Sequence, residues 1–334
     1  MKTMTNGECG MRNAAFRLPH SALIALMVLT VASAQDTPTP NARDLAPRPA
    51  EIAPHAAKSL LLAVTRAGDR FVAVGDRGTI LLSADGVNWE QVAAPVHATL
   101  TTVSFADANT GWAAGHDPAI LHTADGGRTW KLQNFEPELS KPVLALLALD
   151  ARRAFALGAY GLFLQTTDGG ASWSEVDAAP ILEDGLHLNS MIRLGNGELF
   201  IAGETGLLGV SADGAAWKRL TLPYEGSLFG ALPHGDKGAL VFGLRGNVLY
   251  SDDVRAGKWT KVDTQTVQSL FGGTTLAGGA AALVGADGEY LLIDAAGAAR
   301  KAHSPLGTLS GVLPHGDALL VVGENGVGRI TPAK

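Results

Sequence analysis

Short apolar runs separated by glycine-containing turns fill the chain from about residue 56 onward. In a typical unit, the run Phe71 to Val74 leads into Gly75-Asp76-Arg77-Gly78, and a second run from Thr79 to Leu82 follows. This pattern predicts two β-strands joined by a tight hairpin. Glycine is expected in these turns because they need positive φ, which costs other residues more. The first glycines of the seven copies are Gly75, Gly115, Gly158, Gly203, Gly243, Gly285 and Gly323.

A second element recurs between the glycine turns, with the pattern Ser/Thr-x-Asp-x-Gly-x-x-Trp of the Asp box, or BNR repeat. It is complete in the second and third copies and one residue shorter in the first and fourth. An aspartate at this position can accept hydrogen bonds from backbone amides of its own turn. The tryptophan can then bury its ring between neighbouring sheets. We therefore predict structural, non-catalytic roles for the box residues Asp85, Trp89, Asp125, Trp130, Asp168, Trp173, Asp213 and Trp217.

The period of the repeat predicts the architecture, because self-similarity at about forty residues with only short strands is typical of radially arranged blades. The predicted fold class is all-β, a seven-bladed β-propeller with Asp-box turns over residues 56–334. A glycine turn joins the second and third strands of a blade, so it lies on the face that carries the connections between blades. The Asp boxes then lie on the opposite face. The second repeat shows the four predicted strands, Thr101 to Phe105, Gly111 to Ala114, Ile120 to Thr123 and Thr129 to Leu132.

The last repeat provides only three strands before Lys334. An unpaired sheet edge favours aggregation. We therefore expect Glu51 to Ala57 to return as the fourth strand of this blade, with Pro54 tolerated at an edge.

The first 55 residues have a different composition from the repeats. A basic start with Arg12 and Arg17, an apolar stretch from Ala22 to Ala32 and the ending Ala32-Ser33-Ala34 predict a signal peptide over residues 1–34. The stretch is shorter than the roughly 20 apolar residues of a membrane span; the alternative is a retained interfacial anchor. Residues 35–55 form a proline-rich linker. We expect a periplasmic or secreted protein without an integral membrane segment after cleavage.

The amino-acid composition limits which functional sites and partners the protein can have. The single cysteine, Cys9, lies in the predicted leader, so the mature chain has no disulfide and no thiol nucleophile. The formal net charge of -6 disfavours nucleic acid as a partner. Two Pro-His-Gly-Asp sequences, at residues 233–236 and 314–317, are interpreted as turns, because a metal ion needs three or four converging ligands. We expect no metal, no cofactor and a monomer.

The face that carries the glycine turns collects the candidate binding residues. Arg77 and Arg245 can clamp a carboxylate, and Tyr160 can anchor a protein partner. The alternative is that hairpin tips are polar simply because they are solvated. The longest connections on this face, Asn134 to Pro142 and Asp177 to Asn189, are further candidates. The candidate ring is Arg77, His116, Asp117, Tyr160, Glu204, Arg245, Asp287 and Glu324.

The pairing of glycine turns with Asp boxes, as in Ile120-Leu-His-Thr-Ala-Asp-Gly-Gly-Arg-Thr-Trp130, resembles the photosystem II stability and assembly factor family. The resemblance extends from Ala57 to Gly328. It implies a seven-bladed propeller that performs no chemistry. It also implies an exported protein that binds a protein partner and serves as an assembly factor for a membrane or envelope complex.

The alternative function is a sialidase-like glycoside hydrolase, because such enzymes share the Asp box. Tyr224, beside Glu225, is the tyrosine placed on the appropriate face for a nucleophile. A catalytic pair of carboxylates can be drawn from the turn residues. The first blade lacks the Phe-Arg-Ile-Pro element of sialidases, so we predict a non-enzymatic protein. The carboxylates in question are Asp76, Asp117, Glu204 and Asp287.

Overall fold

The computed structural model describes residues 45–332, which form seven consecutive antiparallel sheets. Six sheets have four strands and the seventh has three among the described residues. Within each sheet the strands follow chain order from the axis outward, and the innermost strand of each sheet contacts that of the next. The last innermost strand contacts the first, so the sheets close into a ring. The predicted seven-bladed propeller is confirmed.

The strands of the first four blades are short, and their outermost members are the shortest. The first two blades contain β1 Leu61–Ala67, β2 Arg70–Gly75, β3 Ile80–Ser83, β4 Glu90–Gln91, β5 Leu100–Phe105, β6 Gly111–Gly115, β7 Ile120–Thr123 and β8 Lys131–Asn134. The next two contain β9 Val143–Ala148, β10 Ala154–Gly158, β11 Phe163–Thr166, β12 Ser174–Glu175, β13 Leu188–Arg193, β14 Leu199–Gly203, β15 Leu208–Ser211 and β16 Lys218–Leu220.

The last three blades repeat this arrangement. They contain β17 Leu228–His234, β18 Gly238–Gly243, β19 Val248–Ser251, β20 Thr260–Lys261, β21 Leu270–Thr275, β22 Ala281–Gly285, β23 Glu289–Ile293, β24 Ala299–His303, β25 Leu309–His315, β26 Ala318–Gly323 and β27 Gly326–Ile330. One short helix is present in the described part, α1 Ala179–Leu182. Single turns of 3₁₀ helix are Ala56–Lys58, Asp76–Gly78, Pro137–Leu139, Ala159–Gly161, Glu204–Gly206, Leu244–Gly246, Val254–Ala256, Ala277–Gly279 and Ala286–Gly288.

The hydrophobic core lies between the blades. The second strand of each blade is buried almost along its whole length, as in β6 and β14, because both of its faces meet neighbouring sheets. Small and branched residues therefore follow one another there without polar alternation. The outermost strands β8 and β12 remain exposed or half-buried, which matches their polar sequences.

The glycine turns join the second and third strands as predicted, but in the six turns that contain two glycines only the last glycine has positive φ. Gly78 has φ 69°, whereas Gly75 has φ -168° and is extended. At Gly75 the requirement is close approach, because a methyl group there would overlap the carbonyl oxygen of Leu60. Glycine is thus required at the two positions of one turn for different physical reasons, close approach at the first and positive φ at the last.

The expected closing strand from Glu51 to Ala57 is wrong. Within residues 45–332 the seventh sheet has three strands, and this segment runs along the first blade instead. The amide of Ala50 donates to the carbonyl of Ala94 over 3.0 Å. The side chain of Gln91 holds the segment on both sides, donating to Glu51 O (2.9 Å) and accepting from Ala53 N (2.8 Å). These side-chain bonds occupy Glu51 O and Ala53 N, and the turn Ala56–Lys58 contacts β27 without joining its sheet.

The ring is closed by packing and side-chain hydrogen bonds between the first and seventh blades. Ala56 is buried with Leu61 and Val322 at this seam. The hydroxyl of Ser310 donates to Leu61 O over 2.6 Å, and the guanidinium of Arg66 donates to Pro314 O over 3.1 Å. The predicted signal peptide and residues 35–44 of the predicted linker lie outside the described residues.

Candidate functional site

Seven equivalent backbone hydrogen bonds attach the glycine turns to the axis of the propeller. In each blade the residue after the first glycine donates its N–H to the carbonyl just before the innermost strand, over 2.9 to 3.0 Å. The turns are thereby fixed at one face, together with the connections between blades. The donors are Asp76, His116, Ala159, Glu204, Leu244, Ala286 and Glu324, and the acceptors are Leu60, Thr99, Pro142, His187, Ser227, Ser269 and Thr308.

The next residue of most turns has a left-handed backbone although it is not glycine. This conformation is uncommon for residues that carry a side chain, and it recurs at equivalent positions whose residues are exposed, except for the half-buried Asp117. The side chain of Arg77 is 79% exposed and Tyr160 is 59% exposed. Strain of this kind is often kept where a side chain has a function. The residues are Arg77, Asp117, Tyr160, Thr205, Arg245 and Asp287, with φ of 51° to 59°.

The predicted ring residues therefore occupy two positions in the turns. Arg77, Asp117, Tyr160, Arg245 and Asp287 take the left-handed position. In the preceding position, His116 and Glu324 are exposed and Glu204 is half-buried.

Three side chains from the third and fourth blades come together at one point of the ring. The rings of Tyr160 and His187 meet edge to face with centroids 4.8 Å apart. The amide of His187 donates to Glu204 Oε2 over 3.1 Å. The connection from Asp177 to Asn189 thus joins two predicted ring residues. Its Asp184 is bound by Arg219 over 2.6 Å, and Ile181 of α1 is fully buried, so this connection is fixed to the blades.

Another part of the ring is covered by the N-terminal segment, residues 45–59. A cavity of about 350 Å³ is lined by Arg48 and Glu51 of this segment together with His97 and Asp117. Beside it, Leu45 faces Phe135 and Leu139 of the connection from Asn134 to Pro142. Asp117 is therefore less open to a partner than the other tips.

Exposed apolar side chains concentrate on this face, which sequence reasoning missed. Eight large hydrophobic residues are exposed in the described part, and six of them lie at the turns, the connections or the start of an innermost strand. The other two are Ile52, in the N-terminal segment, and Val87, in the first Asp box on the opposite face. The signal was present in the sequence, since Leu244 is apolar where Asp76 and Glu204 are acidic. The six are Leu60, Leu139, Tyr160, Leu244, Val267 and Phe271.

The Asp boxes join the third and fourth strands on the opposite face, and their carboxylates are occupied within the turn. Asp168 accepts hydrogen bonds from Ser172 Oγ (2.6 Å), from Ser172 N (3.0 Å) and from Thr166 Oγ1 (2.8 Å). These bonds lower the pKa of Asp168 to about 2. In the first box, the amides of Asn88 and Val87 hold the pKa of Asp85 well below its usual range.

The box tryptophans pack onto the preceding blade. Trp130 of the second blade is 7% exposed and belongs to one cluster with Val72 and Leu82 of the first blade. Trp217 of the fourth blade lies 5.4 Å from Phe163 of the third, measured between ring centroids. These two tryptophans thus bury their rings between neighbouring sheets, as the motif predicted.

The tyrosine of the glycosidase alternative is engaged in a hydrogen bond. The hydroxyl of Tyr224 donates to Leu244 O over 3.1 Å, and burial raises the pKa of Tyr224. A tyrosine nucleophile needs the opposite change, because it must lose its proton. The carboxylates Asp76, Asp117, Glu204 and Asp287 stand on turns of four different blades.

The two Pro-His-Gly-Asp turns are separate. His234 lies 5.1 Å from Tyr250 and His315 lies 5.1 Å from Phe71, between ring centroids. Among residues 45–332, no group of three or more His, Cys, Asp or Glu side chains is placed to hold a metal ion. Over the same residues, no helix is both long and apolar enough to span a membrane.

Comparison with known proteins identifies the family. The model of the family described as Photosynthesis system II assembly factor YCF48 matches residues 80–182 and 140–306. The chain belongs to this family. A curated member, Photosystem II assembly protein Ycf48 of Thermosynechococcus vestitus (strain NIES-2133 / IAM M-273 / BP-1), is 40% identical over 43 residues. That alignment spans 13% of this chain and 12% of the relative.

Solved YCF48 structures share the fold. The structure described as YCF48 bound to D1 peptide has a TM-score of 0.66 and 20% identity, covering 85% of this chain and 96% of that chain. YCF48 from Cyanidioschyzon merolae has a TM-score of 0.65 and 17% identity, covering 84% and 98%. The WD40 propeller domain of Doa1 is also similar, with a TM-score of 0.64 and 13% identity over 87% and 98% of the two chains. The resemblance to the photosystem II assembly factor family is thus confirmed.

Proposed function

We propose that this member of the YCF48 family is an exported, non-enzymatic protein that binds a protein partner and assists assembly of a membrane or envelope complex. Membership of an assembly factor family supports this proposal. So does the similarity to a YCF48 structure described as bound to D1 peptide. For location, the proposal depends on the predicted signal peptide over residues 1–34, and the functional compartment is the periplasm or the exterior.

The observation that carries the proposal is the unequal distribution of exposed apolar side chains. Single exposed hydrophobic residues need no explanation, whereas apolar side chains that cluster within a polar surrounding are typical of an interaction surface. Leu244 and Val267 lie beside the fifth blade and Tyr160 on the third, each next to polar tips. Apolar anchors within a polar rim are typical of protein interfaces. Solvation alone explains polar tips but leaves exposed leucine and valine unexplained.

We also propose that the protein catalyses no reaction. The Tyr224 hydroxyl is committed to a backbone carbonyl, and the Asp-box carboxylates are committed to their own turns. Binding requires only that the exposed side chains are held in place. The hydrogen bonds between turns and axis provide that rigidity.

The test compares partner capture by three forms of the mature protein. Wild type, Tyr160→Ser/Leu244→Ser and Val87→Ser are each used as bait in envelope extracts of the source organism. Val87 is the matched control because it is 67% exposed but lies on the Asp-box face. We expect the same partner to be retained by wild type and by Val87→Ser and to be lost from the double variant. Equal retention by all three forms contradicts docking on the glycine-turn face.

A further inference from the structure

A cavity of about 760 Å³ opens between the fifth and sixth blades on the glycine-turn face. Its walls are the turn from Arg245 to Asn247, the connection from Lys261 to Gln268, and Glu289 and Lys301 of the sixth blade. The connection is held against both blades. Thr264 Oγ1 donates to Gly246 O over 2.8 Å, and Lys301 Nζ donates to Gln265 O over 2.8 Å. The cavity is therefore formed before any ligand arrives.

Three exposed cationic side chains from three elements line this cavity. They are Arg245 of the turn, Lys261 of β20 and Lys301 of β24. None of them forms an ion pair within residues 45–332. The formal net charge of the chain is -6, so an accumulation of unpaired cations is unexpected.

The equivalent turn of the first blade shows what is special about Arg245. Arg77 has the same left-handed backbone, but it follows Asp76, whose carboxylate lies 3.8 Å from its guanidinium. In the fifth blade the corresponding neighbour is Leu244, which is apolar and 36% exposed. The guanidinium of Arg245 thus has no acidic partner in its own turn, and an apolar contact lies next to it.

The lining also contains two carboxylates. Asp263 is exposed and accepts a hydrogen bond from the amide of Gln265 over 3.3 Å. Glu289 Oε1 is buried, so a ligand in the cavity does not reach it. The cations of the lining thus outnumber the carboxylates. On the open side, Val267 is 80% exposed and offers an apolar surface.

We propose that this cavity binds an acidic side chain of an extended partner segment, together with an apolar neighbour. The carboxylate is held by Arg245 and Lys261 through charge-assisted hydrogen bonds. The apolar side chain packs on Val267. This inference rests on the proposed function, since it names the chemistry that the partner presents to the glycine-turn face.

Two model peptides that differ only in charge test the proposal on the mature protein. N-acetyl-Asp-Leu-N-methylamide and its neutral Asn counterpart are titrated while the amide resonances of the protein are followed by NMR. We expect the acidic peptide to shift resonances of residues 245, 261–268 and 289, and the neutral peptide to bind at least about tenfold more weakly, because a charge-assisted hydrogen bond is stronger than a neutral one.

Arg245→Gln and Arg128→Gln are the matched variants, because both positions carry an exposed arginine but Arg128 lies in the second Asp box on the opposite face. Arg245→Gln is expected to weaken binding of the acidic peptide by at least about tenfold, whereas Arg128→Gln leaves it unchanged. Equal affinity for both peptides, or equal effects of both variants, overturns the inference.

The two proposals can fail separately. If partner capture depends on Tyr160 and Leu244 but neither peptide perturbs the cavity, the inference is wrong and the proposed function stands. If the acidic peptide binds at Arg245 but capture does not depend on this face, the cavity binds carboxylates and the proposed docking is wrong.

Discussion

At the scale of single residues, the role of an aspartate or a glycine depends on its surroundings in the fold. The box aspartate Asp168 is held in its own turn by Ser172 and Thr166, so its charge serves the fold. The tip aspartate Asp287 has an exposed side chain on a left-handed backbone. The motif distinguished these roles in the sequence, because the spacing from Asp to Trp defines the box. The extended Gly75 could not be foreseen, since close approach to Leu60 depends on a neighbouring strand.

The stability of the propeller should depend on Asp168 in a defined pH range. The pKa of Asp168 is about 2 in the folded protein, below its ordinary value of 3.8. A lowered pKa stabilises the fold above the ordinary value, and this contribution is lost as the pH falls from about 4 towards 2. We expect Asp168→Asn to lower the thermal midpoint by a few degrees at pH 7. The difference from wild type should shrink towards pH 2 in thermal melts followed by circular dichroism. A difference that stays constant over this range contradicts the account.

At the scale of strands and blades, the periodicity of the sequence predicted where the strands lie. It did not predict which blade the N-terminal segment contacts. The predicted strand Gly111 to Ala114 is observed as Gly111–Gly115, and Ile120 to Thr123 has the predicted bounds. The misplaced segment from Glu51 to Ala57 is different, because the side chain of Gln91 binds its backbone. A contact between a side chain and a distant backbone leaves no periodic signal.

Replacing Trp130 tests whether the box tryptophans stabilise the contact between neighbouring blades. Trp130 is 7% exposed and packs between the first two blades, so Trp130→Ala should lower the free energy of unfolding by about 3–5 kcal/mol. Trp89, at the seam between the first and seventh blades, is only partly buried and is the matched control. We expect a smaller loss for Trp89→Ala. Urea denaturation of both variants measures the difference, and equal losses would show that burial between blades does not determine the effect.

At the scale of the whole molecule, the Asp boxes brace one face of the propeller, and the opposite face carries the glycine turns where we propose that a partner binds. The sequence was sufficient for the seven blades, the two faces and the ring of polar tips, since each follows from a repeated motif. It was not sufficient for the exposed apolar surface around Leu244 and Val267, because exposure depends on which connections cover a turn. Nor did it indicate that Asp117 lies against the N-terminal segment. The cavity beside Arg245 could not be predicted either, because residues of two neighbouring blades line it.

The most direct measurement of the central claim is hydrogen exchange of the mature protein alone and with its captured partner. The account predicts slower exchange in the turn from Leu244 to Asn247 and in the connection from Asp263 to Gln268 when the partner is bound. The Asp-box turns, such as Asp125 to Trp130, should exchange at the same rate in both states. Protection confined to the Asp-box turns, with the glycine-turn face unchanged, would contradict the account.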